Sequence, residues 1–349
     1  MRLEELTKIV RRRRLDQVLV ANEANIRALT GITCDNAILV VSRLSSPVLY
    51  TDFRYIPMVH RVAPKLKCRD IKRFGTSRRG AGASRPRRIG YESSISHATF
   101  LSWQKKFPRA TFVDISKDLA AIRAVKTPDE IAALRAAEKL TGEIWETARG
   151  RFKAGMTERQ MARIIQKLMI ERGEGEAFST IVCVGKNAAE CHHEPDDTVW
   201  NGREPVLVDM GVKLNGVCSD LTRNLLPSSS VSRLPSLYRQ VYQLVLKANL
   251  AAIAAAKPGM TGRQLDRVAR DVIRKGGFGK CFGHSLGHGV GYEIHEEPYA
   301  SKKGDRVLKP GMLVTIEPGI YLEDNLGVRI EDLVLITPTG CEVLSNCEK

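Results

Sequence analysis

KAGMTERQMARI, residues 153–164, and KPGMTGRQLDRV, residues 257–268, are two copies of one pattern. Seven of the twelve positions are identical, and the copies begin 104 residues apart. In each, Gly-Met-Thr precedes a run with apolar residues at helical spacing. Thr157 and Thr261 stand where a helix N-cap belongs. The strand segments downstream repeat as well. LVDMGVKLNGVCSDLTRNLL (207–226) places a carboxylate in an apolar strand, then a turn, then a second carboxylate-bearing strand. VTIEPGIYLEDNLGVRIEDLVLI (314–336) has the same plan, so Asp209 matches Glu317 and Asp220 matches Glu331. Helices and hairpins repeating at nearly one offset imply a domain of two similar halves about an approximate two-fold. Four carboxylates would then converge near the axis.

Upstream, AVKTPDEIAALRAAEKL (124–140) carries Thr127, Pro128 and Glu130 at N-cap, N1 and N3 of a helix, a capping box with proline in its preferred place. The second domain is expected to start there, dividing the chain into residues 1–124 and 125–349, as its 349-residue length suggests. In the first part, the runs at 15–22, 36–42, 46–52 and 87–93 are short, β-branched and bounded by turn residues. They read as strands of a small α/β unit. The fold class expected is therefore α/β (α+β), a small α/β domain followed by a pseudo-two-fold domain.

The chain carries 55 Lys and Arg against 39 Asp and Glu, a net charge of +16. Much of the excess lies in Arg11–Arg14, read as a solvated helix end, and in the Gly/Ser/Pro/Arg-rich segment 73–88, read as a surface loop. Neither has interleaved aromatic residues for base stacking, so nucleic acid is not the expected partner. No apolar run approaches the roughly 20 residues that span a bilayer. VLKANLAAIAAA (245–256) reads as a buried helix, and MRLEELTKIVRRRRLD is not a secretory signal. Eight irregularly spaced cysteines fit reduced thiols, so a cytoplasmic protein is expected. Cys183, Cys191 and Cys218, near the motifs, read as small buried apolar residues.

An unpaired carboxylate inside an apolar strand costs several kcal/mol, so Asp209, Asp220, Glu317 and Glu331 require concentrated positive charge. Arg223 and Arg329 offer part of it; two divalent cations would supply more and account for the symmetry. Five of the seven histidines fall in two segments, His192 and His193, then His284, His288 and His295. Gly287, Gly289 and Gly291 argue for an extended segment there, with close backbone approach, rather than a helix. Carboxylate oxygens with a single imidazole suit Mn²⁺, Co²⁺, Fe²⁺ or Zn²⁺. Two such ions about 3.5–4 Å apart share a bridging water, which makes amide hydrolysis the natural reaction class. Gly283–Gly287 also matches the Gly-x-Ser-x-Gly elbow around Ser285, but neither the preceding strand nor the following helix is in the pattern.

The segments 208–224, 284–298, 311–321 and 327–337 resemble, in order and spacing, the motifs of the pita-bread metallopeptidases: methionine aminopeptidase, aminopeptidase P, prolidase and the non-peptidase creatinase. The resemblance implies Asp209, Asp220, His288, Glu317 and Glu331 as ligands of two metal ions, manganese above the others, with Asp220 and Glu331 bridging. It implies Glu317 as proton shuttle, and His192, His284 and His295 as catalytic and substrate-facing groups beside Tyr321 and Arg329. NIRALTGIT (25–33) and LYTDFRYI (49–56) resemble the N-terminal domain shared by prolidase, aminopeptidase P and creatinase, which implies a homodimer. Phe53, where the family has Gly, and the segment 76–86 depart from the pattern. The function implied is hydrolysis of Xaa-Pro bonds in proline-containing peptides or dipeptides. The alternatives are a creatinase-like C–N hydrolase and an inactive pita-bread binding protein.

Overall fold

The computed structural model describes residues 2–75, 87–226 and 235–349. Most of the Arg-rich segment expected as a surface loop lies outside them. Two compact units divide the chain, Met1–Arg123 and Ala124–Lys349. Among the described residues, no helix is long and apolar enough to cross a membrane.

The first unit is built on a six-stranded mixed sheet. Its spatial order is Lys67–Asp70, Val48–Thr51, Ala37–Ser42, Gln17–Val20, Arg88–Tyr91 and Thr111–Asp114. The four inner strands are those legible as apolar runs. The two outer ones, KCRD and TFVD, have no fully buried residue. Edge strands are short and half-solvated, so they carry no apolar alternation to read. Leu6, Val18, Val20, Ile26, Leu39 and Leu49 fill the core beneath the sheet.

In the second unit the repeat is visible in the backbone. Each half has two helices, Pro128–Arg149 with Glu158–Arg172 and Ser236–Ala255 with Gly262–Lys275. Thr127, Thr157 and Thr261 each close a capping box, with Glu130, Gln160 and Gln264. Isolated antiparallel bridges join Thr157 to Val199 and Thr261 to Val307, the same contact made once per half. Each half also holds a three-stranded antiparallel sheet. One runs Leu221–Leu225, Val206–Met210, Ile181–Val184; the other runs Leu313–Ile316, Asp332–Ile336, Cys341–Val343. VLKANLAAIAAA lies in the helix Ser236–Ala255. Val245, Ala248 and Ala252 are buried there, whereas Leu250 is half exposed. The buried Asn249 uses its amide on the Ile316 carbonyl (2.9 Å) and the Asp332 carboxylate (3.0 Å).

The halves are joined through polar groups at their seam. Arg223, buried, donates to the Glu331 carbonyl and to Asp332 Oδ1 (3.0 Å). Asn224 Nδ2 donates to the Arg329 carbonyl at 2.7 Å. Arg223 is therefore committed to Asp332, and the expectation that it offers part of the charge the four strand acids need is corrected: its side chain faces the seam.

Candidate metal centre

Strand ends carry the acids to one place. Asp209 sits within Val206–Met210; Asp220 and Glu331 each stand one residue before a strand; Glu317 stands one residue after Leu313–Ile316. His288 is the middle residue of the short strand Gly287–Gly289. An added Cβ on Gly287 would lie 1.9 Å from the Thr315 carbonyl oxygen, so only glycine lets this strand approach. Gly287→Ala is expected to destabilise the protein by about 3 kcal/mol, from the displacement of a well-packed backbone. Thermal melting checks it; an unchanged melting temperature would contradict the close approach.

Asp209, Asp220 and Glu331 each present an oxygen within 4.8 Å of the others. His288 Nδ1 faces the Gly289 carbonyl at 3.1 Å, so that nitrogen carries the proton and the Nε2 lone pair is free. Nε2 lies 3.4 Å from Glu317 Oε1 and 3.6 Å from Asp220 Oδ2. A lone pair facing two carboxylate oxygens is repulsive unless a proton or a cation stands between them. Among the described residues, Asp209 Oδ1 and Glu331 Oε1 are buried without a hydrogen-bond partner. Burial first, then the charges of Glu331 and Asp209, hold the Asp220 carboxyl well above its ordinary range. Burial, with Glu317 and Asp209, does the same to Glu331. Burial raises Glu317 to about 8 against the pull of Arg329. Orphaned buried oxygens, frustrated acids and one neutral imidazole form a donor set that fits divalent cations.

Around it runs a hydrogen-bonded chain. Arg329 donates to Asp209 Oδ2 (2.6 Å), to the Tyr321 hydroxyl (2.8 Å) and to Thr222 Oγ1 (3.1 Å). Thr222 in turn donates to Glu331 Oε2 at 2.7 Å. His284 Nδ1 donates to the Ser285 carbonyl (2.7 Å), which leaves Nε2 to accept from Tyr321 (3.0 Å). Burial depresses the His284 pKa to about 4, so this ring is neutral at pH 7. Arg270, paired with Asp266, fixes the loop by donating to the His284 carbonyl at 2.8 Å. His295, exposed, packs edge-on against His288 with ring centroids 4.3 Å apart. His192 is exposed, and repulsion from it adds, after burial, to the lowering of His284 and His295, which places it near both.

His193 is drawn elsewhere. It joins Glu158 and Asp196 in a second acid–histidine group, in which both Glu158 oxygens and both His193 ring nitrogens have partners. Ser285 is exposed and leads into the strand Gly287–Gly289, without the helix that a nucleophile elbow needs. Cys183 and Cys218 are buried and Cys191 is half buried; all eight cysteines are free. Sequence reading passed over Thr222, Thr315 and Glu138. Thr315 donates to Glu317 (3.0 Å), and Glu138 accepts from the Asp220 amide (3.3 Å). Only their adjacency to apolar strands and a helix core could have marked them.

The sequence profile of Metallopeptidase family M24 matches residues 132–338. That of the Creatinase/Prolidase N-terminal domain matches residues 2–125. An uncharacterised peptidase of Bacillus subtilis, YqhT, is 31% identical over 100% of this chain and 99% of its own. The structure of the prolidase from Pyrococcus furiosus superposes with a TM-score of 0.88 at 32% identity, over 98% of this chain and 100% of that one. The X-Pro aminopeptidase from Thermotoga maritima gives 0.87 at 31%, over 100% and 98%.

Proposed function

The chain belongs to metallopeptidase family M24, and from that premise we propose that it is an Xaa-Pro peptidase working with two divalent cations. One observation carries the reading: Asp209, Asp220, Glu331, Glu317 and His288 converge with two buried carboxylate oxygens unpartnered. These five would hold the cations. Asp220, which faces both the Asp209–Glu331 pair and His288, is placed to be shared. When bound, such cations lower the pKa of water and polarise a peptide carbonyl. The names of the relatives, a prolidase and an X-Pro aminopeptidase, support proline beside the scissile bond. An oxygen-rich set with one imidazole supports manganese.

The residues divide the remaining work. Glu317, whose carboxylate faces the same space as His288 Nε2, takes a proton from the attacking water and returns it to the leaving amine. Tyr321 and Arg329 hold His284 as a neutral ring beside the substrate, while Arg329 neutralises Asp209. His192 and His295, on the exposed rim, receive the peptide. The reading extends to a homodimer in the cytoplasm. Eight free cysteines support the compartment, and the match of residues 2–125 to the Creatinase/Prolidase N-terminal domain supports the dimer. Light scattering tests the dimer.

Chelation is expected to abolish cleavage of an Xaa-Pro dipeptide or an Xaa-Pro-Xaa tripeptide, and Mn²⁺ to restore it. Cleavage of the dipeptide alone makes the enzyme a dipeptidase; cleavage of the tripeptide makes it an aminopeptidase. Undiminished turnover in excess chelator, or none on either substrate with Mn²⁺, sinks the reading.

A further inference from the structure

We propose that Glu158 and His193 form a latch that fixes the loop carrying His192, so that His193 acts on the substrate only through its neighbour. The proposal rests on the Xaa-Pro peptidase reading for its catalytic part.

Glu158 is the first residue of the helix Glu158–Arg172, a position where a carboxylate ordinarily faces solvent; here it is 0% exposed. The matching position of the second half is Gly262. A Cβ added there would lie 1.9 Å from the Tyr299 carbonyl oxygen, because strand Glu296–Ala300 packs directly on that helix start. The two halves share their capping threonine and its bridge but differ at the next residue. The first half has room there and fills it with a carboxyl group, whose burial the positive end of the helix dipole favours.

Glu158 uses that room to gather one loop. Oε1 accepts from the Val184 amide (2.6 Å) and Asn187 Nδ2 (2.9 Å). Oε2 accepts from His193 Nε2 (2.7 Å) and the Asp196 amide (3.1 Å). Val184 ends the strand Ile181–Val184, so a single carboxyl group ties both ends of the segment 184–196 and its interior. His193 Nδ1 faces Glu190 Oε2 at 3.0 Å. With a carboxylate on each ring nitrogen, both nitrogens donate, and the ring is an imidazolium. Burial opposes that charge, but Glu190 and Glu158 outweigh it and hold the His193 pKa above its ordinary value. His192, next in the chain, is exposed, with no hydrogen-bond partner among the described residues. Its position is set by what holds its neighbour.

Nothing in the cluster invites a cation. Every oxygen of Glu158 and both ring nitrogens of His193 are engaged, in contrast to the orphaned oxygens of Asp209 and Glu331. Glu158 and His193 are positioning residues.

The test uses Glu158→Gln and His193→Gln, each alone and combined with His192→Ala, in the metal-loaded full chain. Amide hydrogen exchange at Val184 and Asp196 is expected to quicken about tenfold or more in Glu158→Gln. Metal content stays unchanged. For an Xaa-Pro peptide, kcat/KM falls about 10- to 100-fold in either single variant, the scale of a misplaced catalytic contact. The loss appears in the same constant, kcat or KM, as that of His192→Ala. In the His192→Ala background, His193→Gln costs no more than about twofold, because a positioning residue has nothing left to position. Should Glu158→Gln fail to fold, the His193→Gln pair decides alone. Unchanged exchange at 184–196, or losses that multiply between positions 192 and 193, overturns the latch. If the wild-type chain cuts no Xaa-Pro peptide, the peptidase reading falls, and the exchange measurement still decides whether the latch exists.

Discussion

Replacing Glu331 by Gln is expected to remove peptide hydrolysis while raising the melting temperature of the metal-free protein. The two effects share one cause. Glu331 Oε1 is buried without a partner, within reach of Asp209 and Asp220. Three acids so close repel one another unless protons or cations intervene. Gln keeps the shape and the contact with Thr222 but loses the charge. A cation then loses one of its oxygen anions. Metal-ion stabilisation of a transition state is worth several kcal/mol, and each 1.36 kcal/mol is tenfold, so kcat/KM should fall about a thousandfold. In chelator at pH 8, the same change removes a repulsion and should stabilise by about 1–2 kcal/mol. The gain has a defined pH sign. The folded pKa of Glu331 lies well above 4.5, so the wild-type penalty is absent at acidic pH and grows as pH rises. The variant's advantage therefore vanishes near pH 4. Turnover within tenfold of wild type, or an equal or lower melting temperature at pH 8, contradicts this arrangement of charge.

What the sequence made legible follows a physical rule. N-cap threonines, capping-box partners and acids embedded in apolar strands are local signals. Thr127, Thr157, Thr261, Asp209 and Glu317 can accordingly be placed from the order of residues alone. The two-fold repeat multiplied each signal by recurring at nearly one offset. The destinations of charged side chains are not local. Arg223 looked available to the strand acids, yet its guanidinium crosses to Asp332 in the other half. Asp332 and Glu331 are adjacent, both buried, and only the three-dimensional seam separates the one paired with arginine from the one with an orphaned oxygen. Glu158 reads as an ordinary solvated acid at a helix start. Its partners Val184, Asn187, His193 and Asp196 lie 26 to 38 residues away. The edge strands Lys67–Asp70 and Thr111–Asp114 were invisible because neither face of them is buried deeply enough to impose an apolar alternation.

The metal-free protein should lose stability as pH rises from about 6.5 to 8, and Mn²⁺ should restore more stability the higher the pH. Five buried carboxyls have raised folded pKa values: Glu317 at about 8, Glu138 at about 7, Asp220 and Glu331 well above their ordinary ranges, and Glu92 in the first unit, lifted by burial. Between the unfolded and folded values the native chain holds more protons than the unfolded one, so raising the pH favours unfolding. Three imidazoles act in the opposite sense. His284, at about 4, and His288 and His295, both depressed, are neutral in the fold, and their contribution grows as pH rises toward 6.5. The two sets offset each other below pH 6.5. Above it the imidazole contribution is complete, His193 with its raised pKa begins to lose its charge, and the acids act unopposed. Each tenfold change in proton affinity is worth about 1.4 kcal/mol, so the fall should be plain in melting scans made in chelator. A cation needs deprotonated ligands, so it displaces the protons these acids retain, and its stabilising increment must grow with pH. A melting temperature that holds or climbs between pH 6.5 and 8.5 without metal, or a Mn²⁺ increment that shrinks over that range, would mean that the five side chains do not meet as frustrated acids around one neutral histidine.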